Sequence, residues 1–298
     1  MPSNIKQADR TVRYWFITLG YLIGLLVTNI NLNAQEAVPS VEEIQSDVRQ
    51  FQQFFRSRFP DLSLQHYQDG VNALPQYAPR RLNWELLLEF PPYETEMLLA
   101  SKQWQAPLPN GFSLTKCFAG KPPPTAYPYH FNGRVHTIVG DINQCLLENG
   151  AEPLDPMSAE MARLEAAFKA PWSGQLMDVD YRDEEMRRLY RKGQQYFWAK
   201  RGQMNLSCAN CHVHNAGNQL RGDVLGAALG QGVGFPVYSS AWGLDGKAMG
   251  TLHRRYASCN TMAGAAPLSG QSELYIALEI YQAIVNTGVP IKVPGLRQ

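Results

Sequence analysis

The sequence has almost no net charge. Its 27 Lys and Arg stand against 26 Asp and Glu, which leaves +1. That excludes bulk polyanion binding, because nucleic-acid domains carry a clear basic excess. Charged residues are scarce altogether, at 18% beside 45% hydrophobic, so general disorder is excluded as well. Strand-like alternation is sparse, and beyond about residue 30 no apolar run is long enough to cross a bilayer. Collagen, coiled coil and polytopic membrane protein all fall away. What is present is a chain of 298 residues with 11% aromatics and 20 prolines. This predicts two domains joined by long, punctuated loops.

Lys6, Arg10 and Arg13 precede an apolar stretch from Tyr14 to about Ile30, followed by Leu32-Asn33-Ala34-Gln35. A basic start, a short apolar run and a small-residue exit predict a secretory signal peptide over residues 1–34. The alternative is a single anchor, for which the stretch sits at the lower limit of length. Either way the body works outside the cytoplasm. There thiols do not stay free by default, so each of the five cysteines needs a chemical account.

Along the mature chain the pattern is mainly α with long connections. Helices are predicted at Val41 to Phe59, Ser158 to Phe168, Glu184 to Lys200 and Ser272 to Asn286, and the stretch from Asp61 to Tyr129 is read as loop-rich. The third places Met186, Leu189, Tyr190, Gly193 and Phe197 on one face. The turn cluster Pro171-Trp172-Ser173-Gly174 marks the domain boundary. The chain also repeats itself. Setting Cys145 on Cys259 aligns Thr137 with Thr251, Gly150-Ala151 with Gly264-Ala265, Pro153-Leu154 with Pro267-Leu268, Ser158 with Ser272 and Leu164-Glu165 with Leu278-Glu279. Nine matches in one ungapped register predict two copies of one module.

Cys208-Ala209-Asn210-Cys211-His212 is C-x-x-C-H, the attachment pattern of a c-type haem. Two thiols three residues apart reach the two vinyl groups of one haem edge, and the adjacent His lies under the iron. The helices before and after would clamp it, with Gly193 and Phe197 facing Leu278 and Tyr281. No second C-x-x-C completes a zinc site. Candidates for the other face of the iron are Met249, His253, Cys259 and Met262. A Met ligand at 249 or 262 would make a non-catalytic electron carrier. Cys117, Cys145 and Cys259 admit more than one pairing, and a bridge between the first two leaves Cys259 odd. Arg255 lies one helical turn before Cys259, where a guanidinium favours a thiolate. The Gly-rich loop Gly226 to Gly234 predicts an open mouth, and His130 and His136 read as loop histidines.

Asn205-Leu206-Ser207 leading into C-A-N-C-H, Tyr238 to Trp242, Thr251 to Asn260 with its R-x-x-x-C, and Pro290 to Arg297 together resemble the SoxA family. These are the c-type cytochrome catalytic subunits of the SoxAX complex of bacterial thiosulfate oxidation. The resemblance implies two tandem cytochrome c-like modules, a haem-less one over 35–174 and a haem-binding one over 175–298. It implies one covalent haem c on Cys208 and Cys211, iron ligated by His212 and by Cys259 as a persulfide, and Arg255 as substrate-binding cation, with Lys247 and Arg254 as further candidates. It implies an L-cysteine S-thiosulfotransferase of the periplasm that conjugates thiosulfate to a cysteine of the SoxYZ carrier and passes electrons to a SoxX cytochrome, with no nucleic acid and no stable membrane association once the signal is cleaved. The first module departs from the pattern: Cys117 has no His after it, and Asp141 stands at the position of Arg255. A Cys117–Cys145 disulfide is implied there, as in the single-haem branch.

Overall fold

Helix α1 (Val41–Arg58) begins where Ser40 and Glu43 cap one another: the Glu43 amide donates to Ser40 Oγ at 3.1 Å and the Ser40 amide to the Glu43 carboxylate at 2.6 Å. In this computed structural model the described residues are 37–220, 222–245 and 248–297; the predicted signal segment and Lys247 lie outside them. Among the described residues follow α2 (Ala78–Glu89), α3 (Glu94–Gln105), α4 (Leu114–Cys117), α5 (Ile138–Glu148), α6 (Ala159–Lys169), α7 (Glu184–Trp198), α8 (Leu252–Met262) and α9 (Glu273–Val285). None of these helices is long and apolar enough to cross a membrane. The class is mainly α, as expected.

Strands are two or three residues long. β1 (Tyr129–Phe131) pairs with β2 (Arg134–His136), and β3 (Gln219–Leu220) with β4 (Asp223–Val224). β5 (Val237–Ser239) lies between antiparallel β6 (Met249–Gly250) and parallel β7 (Gly295–Arg297). This small sheet joins the start of α8, which follows β6, to the end of the chain.

The largest core is built on the crossing of α7 and α9. Met186, Leu189, Tyr190, Gly193 and Phe197 are the buried face of α7, as its 3.6-residue pattern requires. The helices touch at Gly193, where a Cβ would meet the Ala277 carbonyl oxygen at 1.9 Å, so no larger residue fits. Phe197 and Tyr281 pack beside it with ring centroids 5.3 Å apart. Helix α1 belongs to this core through Ile44 and Phe55, and Gln52 Nε2 donates to the Val285 and Thr287 carbonyls. A separate core holds Leu114, Phe118, Ile142, Cys145 and Met161 from α4, α5 and α6.

The stretch from Asp61 to Tyr129, read as loop from sequence, contains α2 and α3. Leu82, Leu86, Leu87 and Leu88 distribute over several sides of α2 rather than one, so no stripe betrays the helix.

The internal repeat has a structural counterpart. Thr137 caps α5 by accepting from the Gly140 amide, and Thr251 caps α8 by accepting from the Arg254 amide, at equivalent positions. Ser158 and Ser272 precede α6 and α9 alike. Gly150 and Gly264 both take positive φ, at 79° and 70°, where an L side chain would be strained. Both threonines also reach across the seam between the helix pairs: Thr137 Oγ1 donates to Gln271 Oε1, and Thr251 Oγ1 to the Pro156 carbonyl. Glu165 and its repeat mate Glu279 interact electrostatically in the same seam, and burial raises the Glu165 pKa.

Candidate active site

The cysteine motif is held by its own spacer residues. Asn210 Oδ1 accepts from the Ser207 amide and hydroxyl at 2.9 and 3.0 Å, and its own amide donates back to Ser207 Oγ. A single π-turn, Asn210–His214, follows. Ala209 and Val213 are buried in the main core, while Cys208 and Cys211 are part-buried, free thiols. Burial pushes both thiols up.

His212 Nδ1 lies 2.9 Å from the Gly226 carbonyl oxygen. A carbonyl only accepts, so Nδ1 carries the proton and Nε2 keeps its lone pair for a ligand. Burial, against the pull of the Gly226 bond and helped by Arg255 and Arg297, holds the imidazole pKa down at about 4. At neutral pH the ring is therefore an electron-pair donor.

Arg255 and Cys259 lie one turn apart on α8 and share a face. The Cys259 charge acts on Cys208, on Cys211 and on Arg297. Arg255 acts on both His212 and Arg297. These interactions link Cys259 with both motif cysteines and with Arg297, and Arg255 with His212 and Arg297. Burial and the Arg255 charge bring Arg297 down to about 10, with Cys259 opposing. Among the described residues no carboxylate pairs with Arg255 or Arg297, and Arg297 rests over the Phe235 ring at 5.6 Å. Two half-buried cations without a carboxylate partner among the described residues, in the neighbourhood of Cys259, can hold an anion.

Sequence reasoning assigned no role to Arg297. It reaches the cluster because β7 pairs with β5, Ser239 against Arg297, and β5 pairs with β6, which leads into α8. The other candidates are placed elsewhere. Arg254 Nη1 donates to the Met249 carbonyl at 2.9 Å and its guanidinium stacks over Trp242 at 4.3 Å. Buried His253 accepts the Gln271 amide on Nδ1 and so donates from Nε2 to Glu279 at 3.0 Å. Met249 is buried in a third cluster against Ala162 and Ala166, and Met262 is 57% exposed; the reading with a Met on the iron is not favoured. The loop from Gly226 to Gly234 is no open mouth. Most of it is buried, because Gly230 lies against the Tyr67 backbone, where a Cβ would meet a carbonyl at 1.9 Å, and Gly226 turns its carbonyl to His212.

The equivalent place in the first half is closed. Cys117 and Cys145 form a disulfide. Asp141 is buried, and its carboxylate accepts from Lys121 Nζ at 2.9 Å, Tyr127 Oη at 2.9 Å and Arg134 Nη2 at 3.3 Å, with His136 Nδ1 at 2.7 Å. His130 pairs with Asp183 at 2.9 Å. Read as loop histidines from sequence, His130 and His136 instead lie in the paired strands β1 and β2.

No family model matches the chain. The chain is 38% identical to the L-cysteine S-thiosulfotransferase subunit SoxA of Chlorobaculum tepidum over 288 residues, 95% of this chain and 99% of the relative. The chain belongs to the SoxA family. The SoxA of Allochromatium vinosum is 34% identical over 83% of this chain and 88% of its own length. Among solved structures, SoxXA from P. pantotrophus superposes with a TM-score of 0.60 at 26% identity, covering 68% of this chain and 78% of that one. SoxA membership agrees with the R-x-x-x-C segment on α8 and with the terminal segment that carries Arg297.

Proposed function

We propose that this chain is the catalytic SoxA subunit of a periplasmic thiosulfate-oxidising system, an L-cysteine S-thiosulfotransferase. Residues 1–34 are its signal peptide, 35–174 a haem-less cytochrome c-like module and 175–298 the haem-binding one. The repeated helix pairs support that division, with α1 and the segment after it packed into the core of the second module.

The donor set fits one haem c. Cys208 and Cys211 would carry the two thioethers, His212 Nε2 has its lone pair free, and Cys259 is the sulfur coupled to both motif cysteines. Bound there, the haem would supply an outlet for electrons toward a SoxX-type partner cytochrome. Everything else falls to the protein. Thiosulfate is a dianion, and Arg255 with Arg297 would bind its sulfonate oxygens and turn the sulfane sulfur toward Cys259. Cys259, as thiolate or persulfide, is a soft sulfur able to form and exchange an S–S bond. The carrier thiol R–SH and thiosulfate become R–S–S–SO3⁻, with release of one proton and two electrons. By their place in the sequence, Lys247 and Arg254 would add positive charge that steers anionic partners.

One observation carries the reading: two cations without carboxylate partners among the described residues, Arg255 one helical turn before Cys259 and Arg297 interacting with it. The test is mass spectrometry of a SoxYZ-type carrier incubated with thiosulfate, a chemical oxidant and the haem-loaded protein. The carrier gains one thiosulfonate group with wild-type protein and none with Cys259→Ala that retains its haem. Conjugation at the wild-type rate by Cys259→Ala would refute the assignment.

A further inference from the structure

A third cation lies at the cysteine motif itself. Arg201 Nη1 is 3.8 Å from Cys208 Sγ. Burial pushes that thiol up, and the Arg201 charge opposes it. The Arg201 side chain is half-buried, and among the described residues no carboxylate pairs with it. Its chain neighbour Lys200 carries the same charge but is exposed.

Neutral groups hold this guanidinium in place. It stacks over the Tyr196 ring at 3.8 Å from the centroid, and Nη2 donates to the Tyr196 carbonyl in the last turn of α7. The Arg201 backbone pairs with Leu206 across a tight turn, its amide donating at 2.9 Å and its carbonyl accepting at 3.1 Å. That turn sits on the end of α8. A Cβ on Gly202 would meet the Ala263 carbonyl oxygen at 2.2 Å, and the Gln203 and Met204 amides donate to the Gly264 and Ala263 carbonyls. Tyr196 Oη in turn accepts from Nδ2 of buried Asn260, the residue after Cys259, at 2.8 Å. The guanidinium at Cys208 and the helix that carries Cys259 therefore belong to one hydrogen-bonded frame.

We infer that Arg201 tunes the reduction potential of the haem site: its fixed positive charge against the Cys208 sulfur disfavours the more positive ferric state and draws an electron onto the iron. This rests on the haem reading above. Once Cys208 is a thioether it carries no charge to neutralise the guanidinium, so the field of Arg201 falls on the haem edge. The sign matters because a thiolate-type sulfur at Cys259 lowers the potential and makes the iron a poor electron acceptor. Arg255 and Arg297 oppose that lowering only until a bound dianion cancels their charge. Arg201, held by Tyr196, keeps its charge throughout. The couple is one electron, ferric to ferrous, and Arg201 neither gains nor loses a proton in it.

The test is a potentiometric titration of the full mature, haem-loaded protein, followed by haem absorbance at low and at high salt. Arg201→Leu and Arg201→Gln are each expected to shift the ferric–ferrous equilibrium about tenfold toward ferric, a potential roughly 59 mV lower for one electron. Arg201→Lys recovers part of the shift, because charge returns without the planar stack. Lys200→Leu moves the potential much less, and salt erases its effect but not that of Arg201. The KM for thiosulfate stays at the wild-type value throughout. Should the neutral variants fail to fold, Tyr196→Leu carries the test: it keeps the guanidinium but releases it, and the potential falls part of the way. A wild-type potential in Arg201→Leu and Arg201→Gln, or in Tyr196→Leu where those do not fold, overturns the inference. An equal shift in Lys200→Leu also overturns it, since bulk charge would then suffice. A raised KM with an unmoved potential would make Arg201 a third substrate cation and overturns it as well. A protein that carries no covalent haem refutes instead the reading on which this rests.

Discussion

The helix pairs α5–α6 and α8–α9 follow one plan: a threonine cap, eleven helical residues, a left-handed glycine and a serine before the next helix. What fills the plan differs. In the first pair the cysteine is spent in a disulfide and position 141 is a buried carboxylate ringed by Lys121, Arg134, Tyr127 and His136. In the second the cysteine is free, and the equivalent position is Arg255, a cation with no carboxylate partner among the described residues. At position 141 the first half satisfies its buried charge, as a stable interior should. At position 255 the second leaves the charge without a carboxylate, which costs stability and is retained where chemistry needs it.

The cysteines break the comparison most sharply. Cys259→Ala is expected to lower conjugation roughly 10³-fold or more, with little change in stability. Cys145→Ala, its repeat mate, loses the cross-link over a sequence separation of 28. It should cost about 3 kcal/mol in urea denaturation while the activity of the folded fraction stays near wild type. A Cys145→Ala protein that is fully folded and inactive would show that the first half takes part in the chemistry.

Position 255 and position 141 come next. Arg255→Leu and Arg297→Leu are each expected to lower activity about 100-fold, with the loss concentrated in KM for thiosulfate. Arg255→Lys recovers part of it, because charge returns without the fork. Asp141→Leu leaves Lys121 and Arg134 facing an apolar side chain and should cost about 3 kcal/mol or more, with KM unchanged. If Arg297→Leu matched wild type in KM, the two-cation site would reduce to one.

How much of this was legible follows from where each signal lies in the chain. The buried face of α7 was readable because all five residues fall on one stripe, and Cys208, Cys211, His212, Arg255 and Cys259 because their spacings are local. Arg297 was not, since β5 and β7 pair strands far apart in sequence and nothing near Arg297 encodes that register. Helices α2 and α3 were missed because an apolar patch on their outer sides erased the periodicity. The Gly226 to Gly234 loop was misread because glycine serves close packing as readily as openness, and only the Tyr67 backbone beside Gly230 distinguishes the two.

The caps give the smallest effect and the most symmetric test. Each threonine hydroxyl accepts from an amide three residues on and donates across the seam, Thr137 to Gln271 and Thr251 to Pro156. Thr137→Ala and Thr251→Ala each remove one cap and one seam bond, and each should cost about 1–2 kcal/mol in thermal unfolding. Because the two hydroxyls share no hydrogen-bond partner, the double variant should lose close to the sum of the two. A near-zero cost at 137 beside a full cost at 251 would mean that the first half no longer supports the second. The resemblance between the halves would then be one of shape rather than of shared load.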